Sequence, residues 1–150
     1  MANTYTSLHY HLVFSTKNRE PWIRAEIEER VWHYLGGIAR ENGFKTIAVG
    51  GIENHVHLLV GMGPTMTVSK ALQLMKGASS HWFHETFPKL RLFQWQDGYG
   101  AFTVSKSQVP EVTEYIHGQR VHHRKRTFEE EYIELLRRHD VECDERYVWG

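Results

Sequence analysis

A chain of 150 residues, 41% hydrophobic and 24% charged, is long enough to bury one core and has the balance of an ordinary globular domain. Eighteen basic residues offset eighteen acidic ones, which excludes a protein that coats nucleic acid by bulk charge and leaves local basic patches or specific contacts. The single cysteine, Cys143, excludes an intramolecular disulfide framework and a multi-cysteine zinc site. No run of about 18 apolar residues is present for a membrane span, and the amino terminus lacks the basic and apolar segments of a secretory signal, so a cytoplasmic protein is expected.

Leu8, Tyr10, Leu12 and Phe14 alternate with His9, His11 and Ser15, the period of a strand with one buried face. Residues 22–42 carry Ile23, Ile27, Val31, Leu35 and Ile38 at three- and four-residue steps, which predicts a helix ended at Asn42-Gly43 by a left-handed C-cap. Strands are predicted over 44–52 and 55–62, and the short connection around Gly50-Gly51 and Glu53-Asn54 makes them an antiparallel hairpin. A second helix is predicted over 67–87, with Pro88 just beyond it, and a last strand over 93–107. The order βαββαβ is the ferredoxin-like pattern, an α+β fold whose antiparallel sheet carries its helices on one face. Two more helices follow over 110–122, with Pro110 in the first turn, and over 127–139, where Thr127 and Glu130 form a capping-box pattern. Residues 1–150 thus read as one domain, with a helical tail from about residue 108.

Chemistry concentrates in GGIENHVHLLVG, residues 50–61. On a strand, His55 and His57 project from one face while Val56 and Leu58 project from the other. Two neutral imidazoles so placed can bind a divalent ion; equally, a half-buried strand can carry two histidines on its polar face. His9 and His11 form a second such pair. On the helix over 110–122, Tyr115 and Gln119 are spaced i, i+4 and so stand one turn apart.

The His-Val-His pair on a strand of such a sheet, followed by a helix with one tyrosine and a glutamine four residues on, resembles the single-tyrosine HUH transposases of the IS200/IS605 family. HLVFSTKNR at 11–19, FQWQDGYGAFTVS at 93–105 and HHRKRTFEEEYIELL at 122–136 extend the resemblance. It implies that His55, His57 and Gln119 hold a divalent metal and that Tyr115 is the nucleophile. The implied reaction is cleavage and religation of single-stranded DNA near hairpin ends, through a 5′-phosphotyrosine and a free 3′-OH. It further implies a homodimer in which the tyrosine helix, hinged at residues 105–109, can be supplied by the partner.

A phenol with a pKa of about 10 is a poor nucleophile at neutral pH, so a cation beside the phosphate suits this chemistry. Mg²⁺ is expected by abundance and Mn²⁺ as a substitute, because imidazole suits Mn²⁺ better. Lys17, Arg19, Lys76, Lys106, Arg120, Arg124, Lys125 and Arg126 are candidate phosphate contacts. His81 and His84 read as structural or DNA-facing. The rival readings are a domesticated hairpin-DNA-binding protein and a metal-dependent nuclease that forms no covalent intermediate.

Overall fold

The computed structural model describes residues 3–150. Strands β1 (Leu8–Ser15), β2 (Lys45–Ile52), β3 (His55–Met62) and β4 (Gly100–Val104) make one sheet in the order β2-β3-β1-β4, with every neighbouring pair antiparallel. Helices α1 (Glu28–Glu41) and α2 (Val68–Thr86) are the crossovers of the βαββαβ frame. The expected α+β architecture is present.

Side-chain alternation divides the sheet into two buried faces. Leu12, Phe14, Val56, Leu58 and Val60 meet α1 and α2 in one core. Val13, Leu59 and Phe102 point the other way and are covered by α3 (Val109–His117) and α5 (Phe128–Arg138). The C-terminal helices therefore close the face that the crossover helices leave open. β3, flanked by β2 and β1 and covered on both sides, is buried along almost all of its length. A strand buried on both faces reads as a continuous apolar run, and here two histidines interrupt it.

Local signals account for most helix ends. Gly43 follows the α1 C-cap at φ 80°, the left-handed conformation expected there. Thr67 caps α2 through its side chain, and Thr127 and Glu130 close a complete capping box on α5.

Three boundaries differ from expectation. Helix α1 starts at Glu28 instead of residue 22, because Ile23 N–H donates to the Glu53 carbonyl (2.9 Å) and drops its side chain into the core from a turn. The last strand is confined to Gly100–Val104, joined by a single bridge between Thr16 and Trp95. The carbonyls of Gln96, Asp97 and Gly98 accept instead from Lys76 Nζ, at 2.8, 3.2 and 2.7 Å. Gly50 and Gly51 lie inside β2, so Glu53-Asn54 alone makes the turn.

Lys76 is thus a tie between α2 and the loop before β4. All three of its N–H donors are used, and burial, opposed by Asp97, pushes its pKa down to about 8. Its ammonium group, a candidate phosphate contact, is thus engaged within the chain. Lys76→Met is expected to destabilise the protein by about 1.5–3 kcal/mol in urea titration. Among the described residues, no helix is long and apolar enough to cross a membrane.

Candidate metal and tyrosine centre

The covered second face of the sheet converges on the paired histidines. His55 and His57 are fully buried, and their ring centroids lie 5.0 Å apart. The expected long helix over 110–122 breaks at Gly118 into α3 and the short α4 (Gln119–His122). Glycine is the weakest non-proline helix former, and the break turns Gln119 inward to 1% exposure. Its Oε1 lies 2.8 Å from His55 Nε2. Tyr115, on α3, sets its ring edge-on to His57 at 5.7 Å.

That approach depends on a glycine. Gly50 pairs with His57 across the β2–β3 ladder, and a Cβ there would lie 2.3 Å from the Ile116 carbonyl oxygen. Backbone of α3 rests directly on the sheet at this point, one residue from Tyr115.

Two residues outside the expected set complete the centre. Glu131, on α5 and fully buried, divides its carboxylate. Oε1 lies 3.0 Å from His57 Nε2, 3.5 Å from His55 Nε2 and 3.1 Å from His123 Nε2. Oε2 accepts from the Tyr115 hydroxyl and from Gln119 Nε2 (3.0 Å). His123 Nε2 is also 3.0 Å from Gln119 Oε1. Both residues had a sequence signal. Glu131 sits on the inward stripe Phe128, Glu131, Tyr132, Leu135 of α5, and His123 continues the four-residue step Tyr115, Gln119, His123.

The donor set fits a cation. His55, His57 and Glu131 each offer one ligand atom, and these atoms all lie within 4.8 Å of one another. His55 Nδ1 faces Asn54 Oδ1 (2.9 Å) and Nε2 faces Gln119 Oε1 (2.8 Å), so the single N–H of a neutral imidazole leaves one ring nitrogen lone pair against an oxygen. A bound cation resolves that opposition. His11 Nε2 lies 2.8 Å from His57 Nδ1, so it can take the Nδ1 proton while Nε2 faces the ligand cluster. His11 is engaged with His57, and one group of three or more candidate ligands occurs among the described residues.

Burial, with the His57 charge adding to it, pushes His55 and His11 well below the usual imidazole range, so both are neutral. Burial opposes ionisation of Glu131, but hydrogen bonds from His123 and His57 outweigh it and hold the carboxyl below the ordinary range. Burial also lowers His123, and its hydrogen bond to Glu131 more than reverses this. Burial and then the Glu131 charge push the Tyr115 phenol above its usual value. In this state the tyrosine is a firmly protonated donor.

The other candidates lie apart from the centre. Lys17, Lys106, Arg124 and Lys125 are exposed, and Arg19 stacks over Trp149 at 4.8 Å. Arg120 is paired with Glu28 (2.6 Å) and Glu53 (3.1 Å), and Arg126 with Glu134, so internal carboxylates already engage both guanidinium groups. His81 pairs with Glu85 on the surface, and His84 bonds the Phe93 carbonyl at 2.8 Å. Cys143 is exposed in the tail.

Comparison with known proteins places this geometry. The family described as "Transposase IS200 like" matches residues 4–119, so Glu131 and α5 lie beyond the matched segment. The chain is 28% identical to the ISDra2 transposase TnpA of Deinococcus radiodurans over 117 residues, 75% of this chain and 84% of that one. It is 27% identical over 124 residues to the transposase for insertion sequence element IS200 of Salmonella typhimurium, covering 79% and 81%. A crystal structure of a putative transposase from Deinococcus radiodurans superposes with a TM-score of 0.66 at 28% identity, over 78% of this chain and 96% of that one. A REP-associated tyrosine transposase bound to a REP hairpin shares the fold at a TM-score of 0.60 and 15% identity, over 82% and 73%. With more than half of its length matched, on the sheet that carries the paired histidines and the helix that carries Tyr115, the chain belongs to the IS200-like transposase family.

Proposed function

We propose that this transposase cleaves and rejoins single-stranded DNA near hairpin ends through a 5′-phosphotyrosine on Tyr115, with a divalent metal held by His55, His57, Gln119 and Glu131. The observation that carries the reading is the divided carboxylate of Glu131, one oxygen on the histidine cluster and the other on the Tyr115 hydroxyl. A metal bound at the cluster would polarise the scissile phosphoryl oxygen and offset its developing charge. Two nitrogen and two oxygen donors suit Mn²⁺ better than Mg²⁺, so we take Mg²⁺ as the ion of the cell and Mn²⁺ as an effective substitute.

The protein's own part is proton transfer and placement. With a phosphodiester beside Tyr115, the phenol proton passes along its hydrogen bond to Glu131 Oε2 as the phenolic oxygen attacks phosphorus. The P–O3′ bond breaks, the 3′ oxygen takes up a proton, and the 5′ phosphate remains on Tyr115. A DNA 3′-OH later attacks that phosphate, releases the phenol and restores the starting protein. The linkage retains the energy of the phosphodiester, so no nucleotide cofactor is needed.

Exposed Lys17, Lys106, Arg124 and Lys125 are the phosphate contacts we favour, on a single transposase domain acting in the cytoplasm. One related fold was captured on a REP hairpin, and we extend hairpin recognition to this chain. Tyr115 stands against His57 of its own chain, which supports a site completed in cis. A homodimer, and helix exchange during strand transfer, remain part of the proposal.

The test is a denaturing gel of the protein with Mn²⁺ and hairpin-bearing single-stranded DNA labelled at either end. A 5′-phosphotyrosine retains the 3′ label on the protein and releases the 5′ label as a free fragment. Cleavage with neither label on the protein would favour the nuclease reading, and binding without cleavage the domesticated binder. Gly50→Ala should slow adduct formation by about 10²-fold with far-UV circular dichroism unchanged, because the new methyl displaces α3 and with it Tyr115. A wild-type rate in that variant would contradict the packing argument.

A further inference from the structure

A cavity of about 510 Å³ opens beside the nucleophile, walled by β4, α3 and α5. The metal-cluster side chains are sealed from solvent, whereas this cavity reaches Tyr115 itself. Its inner wall is a run of rings. Tyr115 and Phe102 each meet His11 edge-on, at 6.1 and 6.2 Å, and Phe102 stacks on His139 at 4.4 Å. At the rim, Gln108 and Glu111 stand exposed where α3 begins. None of the three charge ties described for Lys76, Arg120 and Arg126 involves these two residues.

Aromatic faces beside polar side chains are the means by which proteins hold unpaired bases: the ring stacks, and the amide or carboxylate reads its free edge. A volume of this size accommodates one nucleotide. We infer that the cavity lined by His11, Phe102, Gln108, Glu111, Tyr115 and His139 is a subsite for one unpaired nucleotide adjacent to the scissile phosphate. This rests on the transposase reading above and names a part of its substrate. Glu111 accepts hydrogen bonds and gives none when ionised, and the one edge donor of thymine, N3–H, lies between two carbonyl oxygens that repel a carboxylate, so the subsite selects a base with an exocyclic amino group over thymine. A paired base has that edge occupied, which adds to the preference for single strands.

The experiment uses the full-length protein, Mn²⁺ and a single-stranded oligonucleotide from the ends flanking its gene that the wild type cleaves. Each nucleotide beside the scissile phosphate is replaced in turn by an abasic unit and by each of the four bases. At one position the abasic unit should slow wild-type adduct formation by about 10- to 100-fold, and thymine should be the poorest base. Gln108→Trp, which fills the mouth from an exposed position, should be slow on the normal strand and lose less than about threefold more on the abasic one. Glu111→Gln should keep the cleavage position and level the discrimination against thymine. If adducts form but no position shows the penalty, or both proteins pay it equally, the subsite is refuted and the tyrosine chemistry stands. If the wild type forms no adduct on any strand, the transposase reading falls and the subsite with it.

Discussion

Tyr115→Phe is expected to abolish the covalent adduct, lowering strand cleavage on the order of a thousandfold or more, while leaving the fold and DNA binding in place. The ring is retained, and with it the contacts to His57, His11 and His122 at centroid distances of 5.7, 6.1 and 4.8 Å. Only the hydroxyl is lost. Its partner, Glu131 Oε2, still accepts from Gln119 Nε2, so the cost to stability stays near about 1 kcal/mol. No neighbouring hydroxyl is described within the cluster to substitute as nucleophile, since its other members are imidazoles, an amide and a carboxylate. Denaturing gels report the adduct, and fluorescence anisotropy on the same oligonucleotide reports binding. Residual cleavage near the wild-type rate would mean that water, and not the phenol, attacks phosphorus.

Glu131→Gln should weaken Mn²⁺ binding at least tenfold and slow adduct formation further still, because one substitution removes a charged ligand and the proton acceptor of Tyr115. The amide keeps the carboxylate's shape, so the comparison isolates charge and basicity. Glu131→Ala goes further. In the metal-free protein it leaves the His57 and His123 imidazoles, the Tyr115 hydroxyl and the Gln119 amide without their shared acceptor, and opens a cavity. A destabilisation of about 3 kcal/mol is expected in urea titration. Isothermal titration with Mn²⁺ separates the two effects. Unchanged affinity in Glu131→Gln, alongside a loss in Gln119→Ala, would assign the third ligand to Gln119 alone.

How far the sequence discloses this arrangement depends on which element supplied each residue. The frame was legible because its signals are local: period-two alternation in β1 and β3, the C-cap at Gly43 and the capping box at Thr127 each act within a few residues. Tyr115, Gln119 and the paired histidines were legible through spacing and through their resemblance to a family. Glu131 was masked despite its place on the inward stripe of α5, because a Glu-Glu-Glu run at the start of a helix ordinarily reads as solvated charge favouring the helix N-terminus. Only the packing of α5 over the sheet converts the third of those glutamates into a buried member of the histidine cluster. His123 was hidden in the same way, inside a basic run that looked like a DNA contact. The start of α1 and the ends of β4 escaped prediction because tertiary hydrogen bonds from Ile23 and Lys76 decide them.

The central claim is that one phenol carries the DNA strand, and peptide mapping of the trapped adduct tests it most directly. The protein is incubated with Mn²⁺ and single-stranded hairpin DNA, denatured, digested with nuclease and protease, and the nucleotide-bearing peptide is sequenced by mass spectrometry. A 5′-phosphonucleotide is expected on Tyr115 and on no other residue. A nucleotide on a histidine or on another tyrosine, or cleaved DNA with unmodified protein, would contradict it.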